Sequence, residues 1–153
     1  MSENNDNKDC KSSSNDCNNE DHKMSVSDFY KDQCIFMTGA SGFLGKVILE
    51  KLLRDCPTIS KIYVLLRSKQ GVDKRRRIEE ITKSSVFSRI RDSPSLAGSL
   101  SKIIPVSGDI TFEGLGLSPN DCKELMEKVS IVFHVAATIR FDEPLRYEMM
   151  MIF

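Results

Sequence analysis

At 153 residues, 40% hydrophobic and 29% charged, the chain has the length and composition of one ordinary globular domain. Lysine plus arginine equals aspartate plus glutamate at 22 each, so no global charge points to nucleic acid or to an anionic membrane. Five cysteines at scattered positions (10, 17, 34, 56 and 122), with only His22 and His134 beside them, argue against both a disulfide framework and a zinc site.

The charge balance hides an asymmetry, because residues 1–25 hold three lysines against six acids and leave the remainder at about +3. That leader is Asn, Asp, Ser, Lys and Glu with almost no apolar residue. It cannot bury enough surface to offset chain entropy and is expected to be a disordered polar tail. It has no apolar core of a signal peptide, and no later run reaches the roughly 18 apolar residues of a membrane helix. The thiols read as reduced and the compartment as cytosol-facing.

Residues 26–153 read as part of one domain. Cys34-Ile35-Phe36-Met37 is a short continuous apolar run ending at Thr38-Gly39, the signature of a strand buried on both faces. Phe43 to Asp55 carries Leu44, Val47, Ile48 and Leu52 at helical spacing, with Cys56-Pro57 as a stop. Lys61 to Leu66 is a second buried strand, ending at Arg67. Residues 71–92 are expected to form one helix, with Ile78, Ile81, Phe87 and Ile90 on one side. Lys102 to Ser107 is a third strand, and Ser118-Pro119 is an N-cap followed by proline at the first position of a helix running to Lys128. Ile131 to Ala136 is a fourth strand, and a further helix is expected from Asp142. The alternation predicts an α/β fold, a partial doubly wound parallel sheet of about four strands in the order 3-2-1-4.

The sharpest local signal is Thr38-Gly39-Ala40-Ser41-Gly42-Phe43-Leu44-Gly45, glycines spaced GxxGxxG between a strand and an amphipathic helix. Gly39 permits the tight turn, Gly42 lets backbone approach a pyrophosphate, and Gly45 allows helix to pack closely on strand. The N–H groups at the helix start then face the phosphates. A simply tight turn explains one glycine and not three in register. A Walker loop is excluded because Lys46 is followed by Val47.

At the end of the second strand an NAD enzyme places an acid on the ribose 2′-OH. Here the residues are Leu66-Arg67-Ser68-Lys69, so Arg67 is expected to pair the 2′-phosphate of NADP. Lys74-Arg75-Arg76-Arg77 reads mainly as a solvated helix face, with a secondary role near that phosphate open to it. No aromatic residue interleaves with it to stack bases, so nucleic acid is not expected as a partner. Asp109 and Ile110, ending the third strand, are placed to meet the adenine, and Ala136 and Ala137, ending the fourth, leave room for a dinucleotide to cross. His134 reads as a core side chain rather than a base.

TGASGFLG followed by KVILEKLLRDCPTISKIYVLLRSK resembles the opening of an extended short-chain dehydrogenase/reductase. SGDITFEGLGLS and VSIVFHVAATIRFDEPLR make it similar, within that superfamily, to the fatty acyl-CoA reductases, from about Gln33 to Arg146. The resemblance implies NADPH-dependent reduction of long-chain fatty acyl-CoA to a primary alcohol with release of coenzyme A. It also implies that Thr38, Gly39, Ser41, Gly42, Phe43, Leu44 and Gly45 form the pyrophosphate loop. Arg67 would meet the 2′-phosphate, Asp109 and Ile110 the adenine, and Ala136, Ala137 and Thr138 the path to the nicotinamide. Members of that family are often associated with endoplasmic reticulum or peroxisome membranes, through segments this chain does not contain.

The family's catalytic pair is a tyrosine with a lysine four residues on. Tyr30, Tyr63 and Tyr147 are followed at that distance by Cys34, Arg67 and Met151, so no catalytic residue is assigned. The expectation is therefore a cofactor-binding part of a reductase, truncated before its catalytic segment and inactive alone. The alternatives are another extended reductase or epimerase, or a non-catalytic NADP-binding module.

Overall fold

Each apolar run read as a strand becomes one in the computed structural model, which describes residues 25–67 and 73–137. The strands β1 (Cys34–Thr38), β2 (Lys61–Leu66), β3 (Ile103–Ser107) and β4 (Ile131–His134) form one sheet. All pairings are parallel and the order is β3-β2-β1-β4, as the alternation of elements predicts.

The continuous apolar character of β1 and β2 follows from covering both faces of the sheet. Ile35 and Met37 join Ile62, Val64, Leu66 and Ile103 on one face, while Phe36, Tyr63, Leu65 and Val106 point to the other. The first face is covered by α2 (Phe43–Asp55), which contributes Leu49, Leu52 and Leu53, and by Phe87 and Ile90. The second is covered by α5 (Pro119–Lys128) through Leu125, with Ile110 beside it. Helix α5 opens as expected, with the Ser118 hydroxyl accepting from the Asp121 N–H at 3.1 Å and Pro119 at the first helical position.

Three local expectations change. The helix expected over 71–92 is broken into α3 (Lys74–Thr82), a 3-10 turn at Ser85–Phe87 and α4 (Ser88–Arg91). Ser84 is extended, and the Arg91 guanidinium bridges the carbonyls of Thr82 and Ser84, satisfying acceptors that the break frees. Ile81, Phe87 and Ile90 still reach one core because α3 packs against β3 while the 3-10 turn and α4 pack against α2. The fourth strand stops at His134 rather than Ala136, because β1 turns away after Thr38, its partner in register. A short helix not foreseen, α1 (Val26–Phe29), is held by a capping box between Ser25 and Asp28. The tail expected over 1–25 lies, apart from Ser25, outside the described residues, as do Thr138 and the helix expected from Asp142. Among the described residues no helix is long and apolar enough to cross a membrane.

Candidate cofactor cleft

Gly39 is the hinge between β1 and α2. Its φ of +72° lies in the left-handed region, and a Cβ on it would sit 2.5 Å from the Ala136 backbone nitrogen. The loop therefore turns sharply while lying flat against the end of β4. A Cβ on Gly45 would lie 2.2 Å from the Gly39 carbonyl oxygen, so α2 rests directly on the turn. Gly42 differs from both. It is in an ordinary extended conformation as the N-cap of α2, offers no side chain to cap it, and borders an open cleft. The opening N–H groups of the helix, on Phe43, Leu44 and Gly45, have no intrahelical partner and are available to an anion there. The side chains of Phe43 and Leu44 project into solvent, and Gly45 is buried.

Thr38 lies beneath this turn, 2% exposed. Its Oγ1 is 2.8 Å from His134 Nδ1 and accepts from the Ala136 N–H at 3.3 Å, tying the ends of β1 and β4 together. Thr38 is thus a support of the loop rather than part of the cleft wall; its partner His134, expected to be a core side chain, is instead exposed at the end of β4, the sheet's outer strand among the described residues.

The cleft along the carboxyl edge of the sheet has a volume of about 360 Å³, within the size of small-molecule sites at roughly 300–1,000 Å³. Gly39, Ser41 and Gly42 line it from the loop, and Leu65, Leu66 and Arg67 from β2. Gly108, Asp109 and Ile110 line it from β3, with Val135, Ala136 and Ala137 beyond β4. Eight of the residues singled out from the sequence (Gly39, Ser41, Gly42, Arg67, Asp109, Ile110, Ala136 and Ala137) thus border one space. Parallel strands with helices between them place all these strand ends on one side.

Two charged groups dominate the β2–β3 end. Arg67 is exposed, and its Nε stands 3.2 Å from Asp109 Oδ2. Asp109 Oδ1 accepts from the Thr111 N–H at 3.0 Å and its hydroxyl at 2.9 Å. Burial pushes the Asp109 carboxyl up, but the Thr111 donors and the Arg67 charge outweigh it and hold it below its ordinary value. It is therefore an anion at neutral pH.

Arg77, from α3, also lines this end and donates through Nη1 to the Arg67 carbonyl. Its neighbours Lys74, Arg75 and Arg76 are exposed, as expected of a solvated face. Arg77 precedes the buried Ile81 by one helical turn, and that spacing is the signal that separates it from the basic run.

Neither tyrosine among the described residues lines the cleft. Tyr63 is 1% exposed in the middle of β2, donates to Glu124 at 3.0 Å, and has its phenol pushed up to about 12 by burial and by Glu124. Tyr30 packs against Phe29 and Phe133.

The NAD-binding family model described as male sterility protein matches residues 37–152. Mouse fatty acyl-CoA reductase 1 is 44% identical over 124 residues, which is 80% of this chain and 24% of that protein. Fatty acyl-CoA reductase wat of Drosophila melanogaster is 42% identical over 137 residues, 83% of this chain and 26% of that one. Among solved structures, the terminal R domain of the myxalamid PKS-NRPS pathway is 33% identical with a TM-score of 0.55, covering 74% of this chain and 27% of that one. The PhqB reductase domain from Penicillium fellutanum is 27% identical with a TM-score of 0.56, covering 80% of this chain and 32% of that one. The chain spans about a quarter of the length of these curated relatives. It belongs to the male sterility protein family of NAD-binding domains, the family of the fatty acyl-CoA reductases it is similar to.

Proposed function

We propose that this chain supplies the NADPH-binding part of an enzyme that reduces long-chain fatty acyl-CoA to the fatty alcohol. The observation that carries the reading is an uncapped helix N-terminus behind the Gly39 turn, sharing one cleft with a guanidinium, where an NAD enzyme would place a carboxylate, at the end of β2. A pyrophosphate fits the first because bare amides and the helix dipole favour an anion and Gly42 adds no side chain in its way. A ribose 2′-phosphate fits the second, with Arg67 as its partner and Arg77 a second cation beside it. Ile110 offers an apolar flank to the adenine, and Ala136 and Ala137 keep the crossing to the nicotinamide unobstructed. Thr138 belongs to the same proposed path and lies outside the described residues.

A nicotinamide cofactor held in this cleft would supply the hydride for reduction of an acyl carbonyl. The chain's own contribution is to bind and orient it: Thr38 fixes the turn, the opening amides of α2 hold the diphosphate, and Arg67 sets the far end. No tyrosine in the sequence has a lysine four residues on, so proton donation is not assigned to any residue here. Reduction by these 153 residues alone is not expected. The cytosol-facing placement read from the reduced thiols is part of the same proposal.

The test is a titration with NADPH and NADH, followed by the rise in nicotinamide fluorescence. NADPH is expected to bind at least tenfold more tightly, and Arg67→Ala to erase the difference. Equal affinity for the two in the unsubstituted chain would overturn the reading.

A further inference from the structure

The sequence assigns Arg67 and Asp109 to opposite ends of one nucleotide, the arginine to the 2′-phosphate and the aspartate to the adenine. The structure joins them to each other. We propose that Asp109 is a positioning residue that aims Arg67 at the 2′-phosphate, and so helps set the choice of NADPH over NADH. This rests on the NADPH reading above.

Arginine at a strand end is long and free to rotate, and most of the Arg67 side chain is exposed. Left alone, it would have to surrender rotamer freedom each time it met a phosphate. Three contacts reduce that freedom. The Arg67 carbonyl accepts from Arg77 Nη1, which anchors the backbone from which the side chain leaves. The guanidinium Nε lies 3.2 Å from Asp109 Oδ2. The carboxylate is itself held, because Oδ1 takes both the N–H and the hydroxyl of Thr111. Asp109 is fixed by the next strand, where the Gly108 N–H donates to the Leu66 carbonyl at 3.1 Å.

Which guanidinium nitrogen is engaged decides what the pair can do. A bidentate contact through both Nη groups would use the edge that a phosphate needs. A contact through Nε sets the plane of the group and leaves Nη1 and Nη2 as parallel donors, the geometry that grips two phosphate oxygens at once. The ion pair is therefore compatible with a bound phosphate rather than a competitor for it. With its carboxyl held below the ordinary value, Asp109 keeps the charge this role requires across the neutral range.

An adenine acceptor and an arginine positioner respond differently to two fragments of the cofactor. The ratio of the dissociation constants of 5′-AMP and 2′,5′-ADP reads the 2′-phosphate alone, because adenine contributes equally to both. Calorimetric titration of the chain, of Asp109→Asn, of Arg67→Ala and of the double variant completes a cycle. The chain itself is expected to favour 2′,5′-ADP at least tenfold, Asp109→Asn to lower that ratio by threefold or more, and the double variant to match Arg67→Ala.

An equal loss for both fragments in Asp109→Asn would make Asp109 an adenine acceptor only and overturn the proposal. A raised ratio would overturn it too, since the carboxylate would then be repelling the phosphate. A ratio near one in the unsubstituted chain would instead remove the NADPH reading itself, and this inference with it. Thermal melts accompany each variant. If Asp109→Asn does not fold, Thr111→Val, which removes one donor from Oδ1, carries the same test with a smaller expected drop, and an unchanged ratio there overturns the proposal.

Discussion

Replacing Gly45 by alanine tests the architecture of the cleft more sharply than any charged substitution. The added methyl would stand 2.2 Å from the Gly39 carbonyl oxygen and 2.7 Å from Ala40 Cα. Both obstacles are backbone, so no side chain can swing aside, and α2 must retreat from the turn by roughly 1 Å in a close-packed interior. Overpacking of this kind costs about 1–3 kcal/mol, a large share of a typical total of roughly 5–15 kcal/mol. The retreat also carries the amides of Phe43, Leu44 and Gly45 away from their line with Gly39.

Gly45→Ala should therefore lower the urea midpoint and weaken NADPH binding together. Gly42→Ala provides the contrast. Gly42 has φ −74°, and its nearest obstacle to a methyl is the Gly39 oxygen at 3.3 Å, so alanine asks for a shift of only a few tenths of an ångström. There the urea midpoint should hold while NADPH binding falls, because the methyl borders the cleft. Circular dichroism in urea and NADPH fluorescence separate the two effects. Gly45→Ala with unchanged stability and binding would refute the assignment of its role to close packing.

The remaining expectations are narrower. Asp109 has its folded-state pKa depressed, so it contributes stability that is present above the unfolded value of about 3.9 and is lost as pH falls through the folded value. Urea midpoints of the chain and of Asp109→Asn should differ at pH 6 and converge as the pH drops below about 4; a gap that persists in acid would contradict the ion-pair account. Tyr63→Phe removes the bond to Glu124 without emptying the core and should cost about 0.5–1.5 kcal/mol in denaturant, with no change in NADPH affinity. With its phenol pushed up to about 12, Tyr63 should contribute no phenolate absorbance at about pH 10.5, so the chain and Tyr63→Phe should absorb alike there; a lower absorbance in the variant would show the ring to be accessible.

Among the described residues β4 pairs on one side only, and Val132 on it is exposed. A charge on such a strand discourages edge pairing, so Val132→Lys should reduce self-association measured by sedimentation; equal association would place the contact elsewhere.

The strands and their order were legible in the sequence for a local reason. A strand covered on both faces must be apolar at its covered positions, and Cys34–Met37 and Ile62–Leu66 carry that pattern within a few residues. The glycine loop was legible for the same reason, since the positive φ of Gly39 and the seat of Gly45 on the Gly39 carbonyl both arise within seven residues of chain. The break at Ser84 was not, because Ile78, Ile81, Phe87 and Ile90 keep a near-helical spacing across it, and only α2 and Arg91 decide that the chain bends there.

The spacing of Arg77 to Ile81 sets it apart from Arg75 and Arg76, but that it turns toward the cleft is decided only when α3 is docked. Tertiary structure alone decided the partnerships across strands: Thr38 with His134, 96 positions on, and Arg67 with Asp109. Side-chain type records what a residue is able to bind, whereas which of its possible partners it meets depends on sheet register, and register is fixed by contacts between segments far apart in the chain.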